Sequence, residues 1–334
     1  MQEKTFKALV VEETEEGKFT GTIKERSTNE LPECDVLIRV HYSALNYKDA
    51  LSSKGHKGIT RKYPHTPGVD AAGIVEESNS IEFSSGEQVL VTGYDLGMNT
   101  SGGFGQYIRV PAGWVVKLPE GMSLKESMIY GTVGFTAGIA MYEFERNEIT
   151  PEKGKVLVTG ATGGVGSLAV AMLAKAGYYD VASTGKKDKA DFLLRIGAKE
   201  IISREDVDDK SGKSLLLKRW AGAIDNVGGN TLSTVIRSME HRGVVASIGL
   251  VKSDKLDLTV YPFILRGVRL IGIDSAETPM DYRLKIWEKI RTDWRIEKPE
   301  LLVKECKLDT INEEIELILA GKQTGKVIIN LIDN

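Results

Sequence analysis

The segment Val156–Ser167, VLVTGATGGVGS, holds the residues whose types and spacing point most directly to chemistry. An apolar, β-branched run ends there in a cluster of four glycines. The following LAVAMLAKAG reads as a helix closed by Gly177. Strand, glycine turn and helix is the arrangement that holds a dinucleotide pyrophosphate. Glycines let the backbone approach the phosphates, and unpaired N–H groups at the helix start face the negative charge. The spacing is A-x-G-x-x-G, through Ala161, Gly163 and Gly166, one departure from the strict fingerprint. The turn Thr162-Gly163-Gly164-Val165-Gly166 is the predicted pyrophosphate cradle, a plain structural turn being the alternative.

The next strand indicates which dinucleotide. In an NAD-binding unit an acidic residue about 20 positions beyond the glycines ends the second strand and holds the ribose hydroxyls. Here that strand ends in Ser183-Thr184-Gly185, followed by Lys186 and Lys187. Asp188 comes only after both lysines, and Asp180 lies at the wrong end. Small hydroxyl residues with cations suit the 2′-phosphate of NADPH, so NADPH is expected over NADH. The alternative is a solvated helix start, although cations there oppose the helix dipole.

Two kinds of segment must position these residues. Up to about residue 125 the chain reads as short strands: Phe6–Val11, Val36–Val40, Ala71–Glu76, Gln88–Thr92 and Gln106–Val110, punctuated by Pro and Gly. From about 126 the rhythm changes. Ser127–Tyr142 has helical spacing, and then strands and helices alternate through strand Val268–Ile273. Such alternation implies a parallel sheet covered by helices. The tail gives one helix, Ile311–Ala320, and one last strand, Gly325–Leu331, expected to rejoin another sheet. The expected domains are 1–125, completed by 300–334, and 126–299.

Six stretches together resemble the zinc-independent medium-chain dehydrogenase/reductases, in the branch of acryloyl-CoA reductases and quinone oxidoreductases. They are Ala44–Leu51 (ALNYKDAL), Pro67–Gly73 (PGVDAAG), Tyr130–Thr136 (YGTVGFT), Thr159–Ser167, Val260–Arg266 (VYPFILR) and Gly272–Ser275 (GIDS). The resemblance implies an α/β fold: a GroES-like, mostly β domain, built from the N-terminal part and the tail, plus a Rossmann domain with a doubly wound parallel sheet. It places Asn46 where zinc alcohol dehydrogenases carry a cysteine, and Val69-Asp70 where they carry a histidine-glutamate pair. A catalytic zinc needs three Cys, His or carboxylate ligands. His41 and His65 lie nearby in sequence without metal-ligand spacing, and the structural-zinc cysteines are absent too. No metal is expected.

By the same resemblance the chain is an NADPH-dependent reductase of activated C=C bonds, with quinone or general enone reduction as the alternative. A non-catalytic NADPH-binding sensor is the reading from another class. Tyr47 is carried to the nicotinamide face, where it either donates a proton or hydrogen bond or simply packs on the cofactor. Asn46 either orients substrate or cofactor or stabilises a turn. Lys48 and Asp49 form a local ion pair in this reading, and Asp70 holds the β domain together. Thr184–Lys186 meet the 2′-phosphate end. Arg204 lies on the adenosine side or is a surface arginine. Leu250 and Ile264 line the nicotinamide end or belong to the core, and Ser275 joins them or caps a turn. The tail segment 321–326 approaches the cofactor without one residue singled out.

The totals bound what else the protein does. At 334 residues with 41% hydrophobic and 27% charged residues, the chain is long enough for two globular domains. A net charge of −3 argues against general nucleic-acid binding, which needs a basic surface. Cys34 and Cys306 cannot make a disulfide framework, which suits a reducing compartment. MQEKTFKALVVEE lacks the apolar core of a secretory signal, and no run of 18 apolar residues suggests a membrane span. A cytoplasmic protein with a small-molecule substrate is expected. Family precedent and the apolar VRLIGI strand point to a homodimer.

Overall fold

The computed structural model describes residues 3–332. They form two compact units. The first takes the chain up to Thr132, then Ala276–Leu284 and the residues from Leu302 onward; the second takes Val133–Ser275 and Lys285–Leu301.

The first unit is mostly β. Strands β1 (Thr5–Glu13) and β2 (Phe19–Ser27) form an antiparallel pair. Next come β3 (Val36–Leu45), the short helix α1 (Tyr47–Ser53), β4 (Asp70–Ser78), β5 (Gln88–Thr92), β6 (Tyr107–Val110) and β7 (Val116–Lys117). In β3, Val36, Ile38 and Val40 join the main core of this unit, whereas Leu37 joins a smaller cluster with Phe6, Ala8, Val10 and Leu31. Burial on both sides explains the nearly continuous apolar run Val36–Val40, broken only by exposed Arg39. Helix α2 (Leu124–Arg146) begins in this unit, belongs to the second from Val133 on, and is interrupted at Gly131, with φ 45° and ψ −152°.

The second unit contains β8 (Lys155–Val158), α3 (Gly164–Lys175), β9 (Tyr179–Thr184), α4 (Ala190–Arg195), β10 (Glu200–Ser203) and β11 (Trp220–Asp225). It continues with α5 (Gly229–Arg237), β12 (Met239–Ser247), α6 (Tyr261–Arg266), β13 (Arg269–Gly272) and α7 (Met280–Arg291), the last begun within the first unit. The sheet order is β10-β9-β8-β11-β12-β13, with every pairing parallel. This is the doubly wound order 3-2-1-4-5-6, whose ligands lie beyond the carboxyl ends of the strands. The six residues of β11 are all buried, as a central strand requires.

The tail supplies β14 (Val303–Lys307), α8 (Ile311–Leu319) and β15 (Lys326–Asn330). β15 pairs antiparallel with β3 and parallel with β14, so the last strand does rejoin the first unit's sheet. Sequence patterning had not indicated β2, β14, α1, α6 or α7. β2 (FTGTIKERS) carries few apolar residues, and the short helices α1 and α6 carry too few turns to show a period.

Candidate active site

The carboxyl ends of the parallel strands bring most of the predicted cofactor residues to one sheet edge. After β8 the chain turns through Thr159–Gly163. Gly160 has φ +60°, a region L side chains rarely adopt. Gly163 caps α3 in an extended conformation without a side-chain cap, so the first N–H groups of α3 lack that partner. A methyl group on Gly166 would stand 2.4 Å from the Gly160 carbonyl oxygen and 2.8 Å from Ala161 Cα. At Gly163 the same addition meets nothing nearer than 3.4 Å. The tight requirement therefore lies at Gly160 and Gly166, one of which the fingerprint spacing did not include.

Buried polar groups hold this turn. Thr159 Oγ1 donates to Asp225 Oδ1 at 2.7 Å, and the Gly228 N–H donates to Asp225 Oδ2 at 2.8 Å. The Asn226 amide donates to the Thr159 carbonyl at 2.8 Å. Burial pushes the Asp225 carboxyl above its ordinary value, and the donated hydrogen bonds oppose that rise. Thr162 and Thr184 hydroxyls approach to 3.5 Å, and the Lys186 N–H donates to Thr184 Oγ1 at 3.0 Å. Burial, then neighbouring Lys189, draws the Lys186 ammonium below its ordinary value. Ser203, the last residue of β10, pairs with Thr184, and Arg204 follows it with its guanidinium against Gly185.

Leu250 follows β12. Its Cα would lie 3.1 Å from a methyl on Gly228, which places it beside the β11–α5 turn. Ser275 follows β13, and Ile264 sits on α6. Leu250 and Ile264 are each 67% exposed, which removes the alternative that they are core residues.

In the first unit, Tyr47 opens α1, is 47% exposed, and its hydroxyl has no hydrogen-bond partner among the described residues. Asn46, by contrast, is buried and faces inward. Its amide nitrogen donates to Asp70 Oδ2 at 2.9 Å, to Asp49 Oδ2 at 3.2 Å and to the Ala44 carbonyl at 3.2 Å. Asp49 accepts the Asn46 N–H at 2.8 Å and the Val69 N–H at 2.9 Å. It makes no ion pair with Lys48, which corrects the expected local pair: its carboxylate is consumed as a cap of α1. Burial, then the adjacent Asp70 charge, pushes the Asp49 carboxyl up to about 7.

Asp70 binds four groups. It accepts the Thr132 N–H at 2.9 and 3.0 Å, the Thr132 hydroxyl at 2.6 Å, the Asn46 amide and the Lys326 ammonium at 3.1 Å. Lys326 is fully buried and also reaches Asn46 Oδ1 at 3.3 Å. Burial lowers its ammonium's proton affinity, and Asp70 and Asp49 counter that. Sequence reasoning included Lys326 only as the end of the segment 321–326 expected near the cofactor and did not single it out; the signal available was a lysine opening the apolar strand KVIIN. Among the described residues no three His, Cys, Asp or Glu side chains are placed to hold a metal ion.

Residues 32–120 match the alcohol dehydrogenase GroES-like domain, and residues 164–290 match the zinc-binding dehydrogenase domain. Fold and site thus define an oxidoreductase with a GroES-like domain and a Rossmann domain. The chain belongs to the medium-chain dehydrogenase/reductase family, in the group that contains YhfP and the acrylyl-CoA reductases. It is 46% identical over 327 residues to YhfP of Bacillus subtilis (strain 168), provisionally named a quinone oxidoreductase; the match covers 98% of this chain and 99% of that one. It is 41% identical to the acrylyl-CoA reductase AcuI of Ruegeria pomeroyi, with the same shares covered. The structure of the Salmonella enterica YhdH oxidoreductase with NADP superposes with a TM-score of 0.94 at 38% identity, covering 97% of this chain and 99% of that one. B. subtilis YhfP with NAD bound gives 0.96 at 45% identity, covering 98% and 100%.

Proposed function

We propose that this protein is an NADPH-dependent, zinc-independent reductase of the C=C bond of an α,β-unsaturated thioester of the acryloyl-CoA type. What carries the reading is a complete dinucleotide edge in the same chain as an exposed tyrosine hydroxyl that no other described residue occupies. Likeness to an acrylyl-CoA reductase over nearly the whole length supports the substrate class.

Thr162, Gly163, Gly164, Val165 and Gly166 hold the pyrophosphate through backbone N–H groups. Thr184, Gly185, Lys186 and Arg204 receive the 2′-phosphate, and Leu250, Ile264 and Ser275 line the nicotinamide end. Bound NADPH supplies the hydride. As the hydride joins the β-carbon, the C=C electron pair moves toward the carbonyl and negative charge develops on its oxygen. The Tyr47 hydroxyl donates a hydrogen bond to that oxygen, and the α-carbon then takes a proton from solvent, either directly or through the Tyr47 hydroxyl, leaving the saturated thioester and NADP⁺. Asn46, turned inward, acts on this site by holding the start of α1. The donor set around Asn46, Val69 and Asp70 does not fit a catalytic zinc, and no step needs one.

Quinone reduction is the second reading, favoured by the 46% identity to YhfP. We also infer a cytoplasmic homodimer joined through edge strand β13; light scattering on the eluting peak tests the dimer. No helix among the described residues is long and apolar enough to cross a membrane.

Anaerobic NADPH oxidation with acryloyl-CoA and with 1,4-benzoquinone tests the function. A kcat/KM of about 10⁴ M⁻¹s⁻¹ or more with acryloyl-CoA is the expected result. Turnover of quinone alone would replace the thioester reading, and binding of NADPH without any turnover would favour a sensor.

A further inference from the structure

Four polar side chains, Asn46, Asp49, Asp70 and Lys326, are buried in one cluster behind the start of α1. The cluster takes the Lys326–Asp70 ion pair and a second carboxyl group out of water. Desolvating buried ion pairs commonly costs as much as their attraction returns. A cluster of this kind is better explained by the geometry it imposes, and its hydrogen bonds show which geometry that is.

Lys326 Nζ sits 3.1 Å from Asp70 Oδ2 and 3.3 Å from Asn46 Oδ1. The other end of the same amide donates to Asp70 and Asp49. Flipping the amide would turn its NH₂ against the ammonium and its oxygen against two carboxylates, so only one orientation is satisfied. Asn46 is the cap residue of α1, and Tyr47 is the next residue. Asp70 also grips Thr132 beside the break of α2. There a methyl on Gly131 would meet Asp70 Oδ2 at 2.6 Å and Lys326 Nζ at 2.7 Å. The root of Tyr47 is therefore held rigidly from β4, β15 and the α2 break, while its hydroxyl end has no partner among the described residues.

We propose that Lys326 and Asp70 are positioning residues that act through the Asn46 amide to fix the first turn of α1 and thereby the Tyr47 hydroxyl. The proposal rests on the role given to Tyr47 above. A displacement near 1 Å at a reacting group can cost on the order of 100-fold in rate, so the effect belongs in kcat.

The test is a double-mutant cycle of Lys326→Met and Tyr47→Phe on the full chain, with a second readout independent of turnover. Lys326→Met is expected to lower kcat by roughly 10- to 100-fold, with the NADPH dissociation constant within about threefold of wild type. In the Tyr47→Phe background the same change should have little further effect, because the group it positions is gone. Lys326→Arg, which keeps the charge, should recover most of the rate. Effects that multiply in the double variant, or a folded Lys326→Met enzyme with wild-type kcat, would overturn the proposal.

The second readout is the ¹⁹F resonance of 3-fluorotyrosine placed at position 47. It should shift or broaden in Lys326→Met and return in Lys326→Arg; an unchanged resonance would overturn the proposal. Should Lys326→Met not fold, Asp70→Asn provides the same comparison. Wild-type inactivity on every acceptor would refute the proposed function but not the positioning role, which the resonance still decides.

Discussion

The guanidinium of Arg204 lies so close to Gly185 that a methyl group on that glycine would stand 2.3 Å from Nε and 2.4 Å from Cζ. A side chain at position 185 would displace the flexible Arg204 side chain from its place across the end of β9. Among the described residues the cation's only acidic partner is Glu205 at 3.7 Å, and both side chains are exposed, so that pair holds it weakly. With Lys186 beside it, the edge suits a phosphate. Arg204→Ala and Lys186→Ala should each weaken NADPH by about 10-fold while changing NADH by less than about twofold. Equilibrium titrations of both nucleotides at two salt concentrations check this. Equal losses for both nucleotides would remove the 2′-phosphate role.

The glycine turn should separate two substitutions that look alike in sequence. In Gly166→Ala the new carbon meets backbone at 2.4 Å, which cannot move without shifting the start of α3. A loss of about 1–3 kcal/mol is expected, in line with overpacking, together with loss of dinucleotide binding. In Gly163→Ala the nearest atom is at 3.4 Å and φ is an ordinary −79°. That variant should keep its stability to within about 1 kcal/mol. Thermal melts of the two ligand-free variants measure the difference.

Much of this was legible in the sequence and some of it was not, for identifiable reasons. Val36–Val40 and Val156–Val158 announce themselves because strands buried on both faces are apolar at consecutive positions. The turn between β8 and α3 was legible because its glycines fall between an apolar run and a helical one. The network behind Tyr47 was not. Asn46 and Lys326 are 280 positions apart and meet only because β15 pairs with β3. In the sequence Asn46 reads either as an orienter of substrate or cofactor or as a turn-stabilising amide; its inward turn depends on Asp70 and Lys326 being there to receive both ends of that amide.

Asp180 gives a prediction about stability against pH. Its carboxyl is buried near the start of β9 with neither oxygen hydrogen-bonded to any other described residue, and burial pushes it up to about 7 from 3.8. Since the folded value is the higher, the unfolded chain loses this proton first as pH rises. Stability therefore falls between about pH 4 and 7 and stays reduced above that. Asp180→Asn lacks the ionisation, so its melting temperature relative to wild type should rise from pH 4.5 to pH 7.5 by an amount worth up to a few kcal/mol. Asp49 titrates in the same range in both proteins and cancels in the difference. A difference independent of pH would show that Asp180 keeps its proton in neither state.

Substitutions in the segment after α1 should tell a CoA thioester from a quinone. Lys54 pairs with Glu316 and Lys57 with Glu13, whereas exposed Arg61 and Lys62 have no acidic partner among the described residues. Two such cations, 14 and 15 positions beyond Tyr47, suit the phosphates of a CoA tail, and a quinone has nothing for them to bind. The variant Arg61→Ala/Lys62→Ala should therefore raise KM for acryloyl-CoA by about 10-fold with kcat largely kept, since contacts remote from the reacting carbon act on binding. KM for 1,4-benzoquinone should not move. Raising the salt concentration should erode the wild-type advantage on acryloyl-CoA, because exposed charges are screened. Equal KM changes for both acceptors would place the two cations outside the substrate's reach.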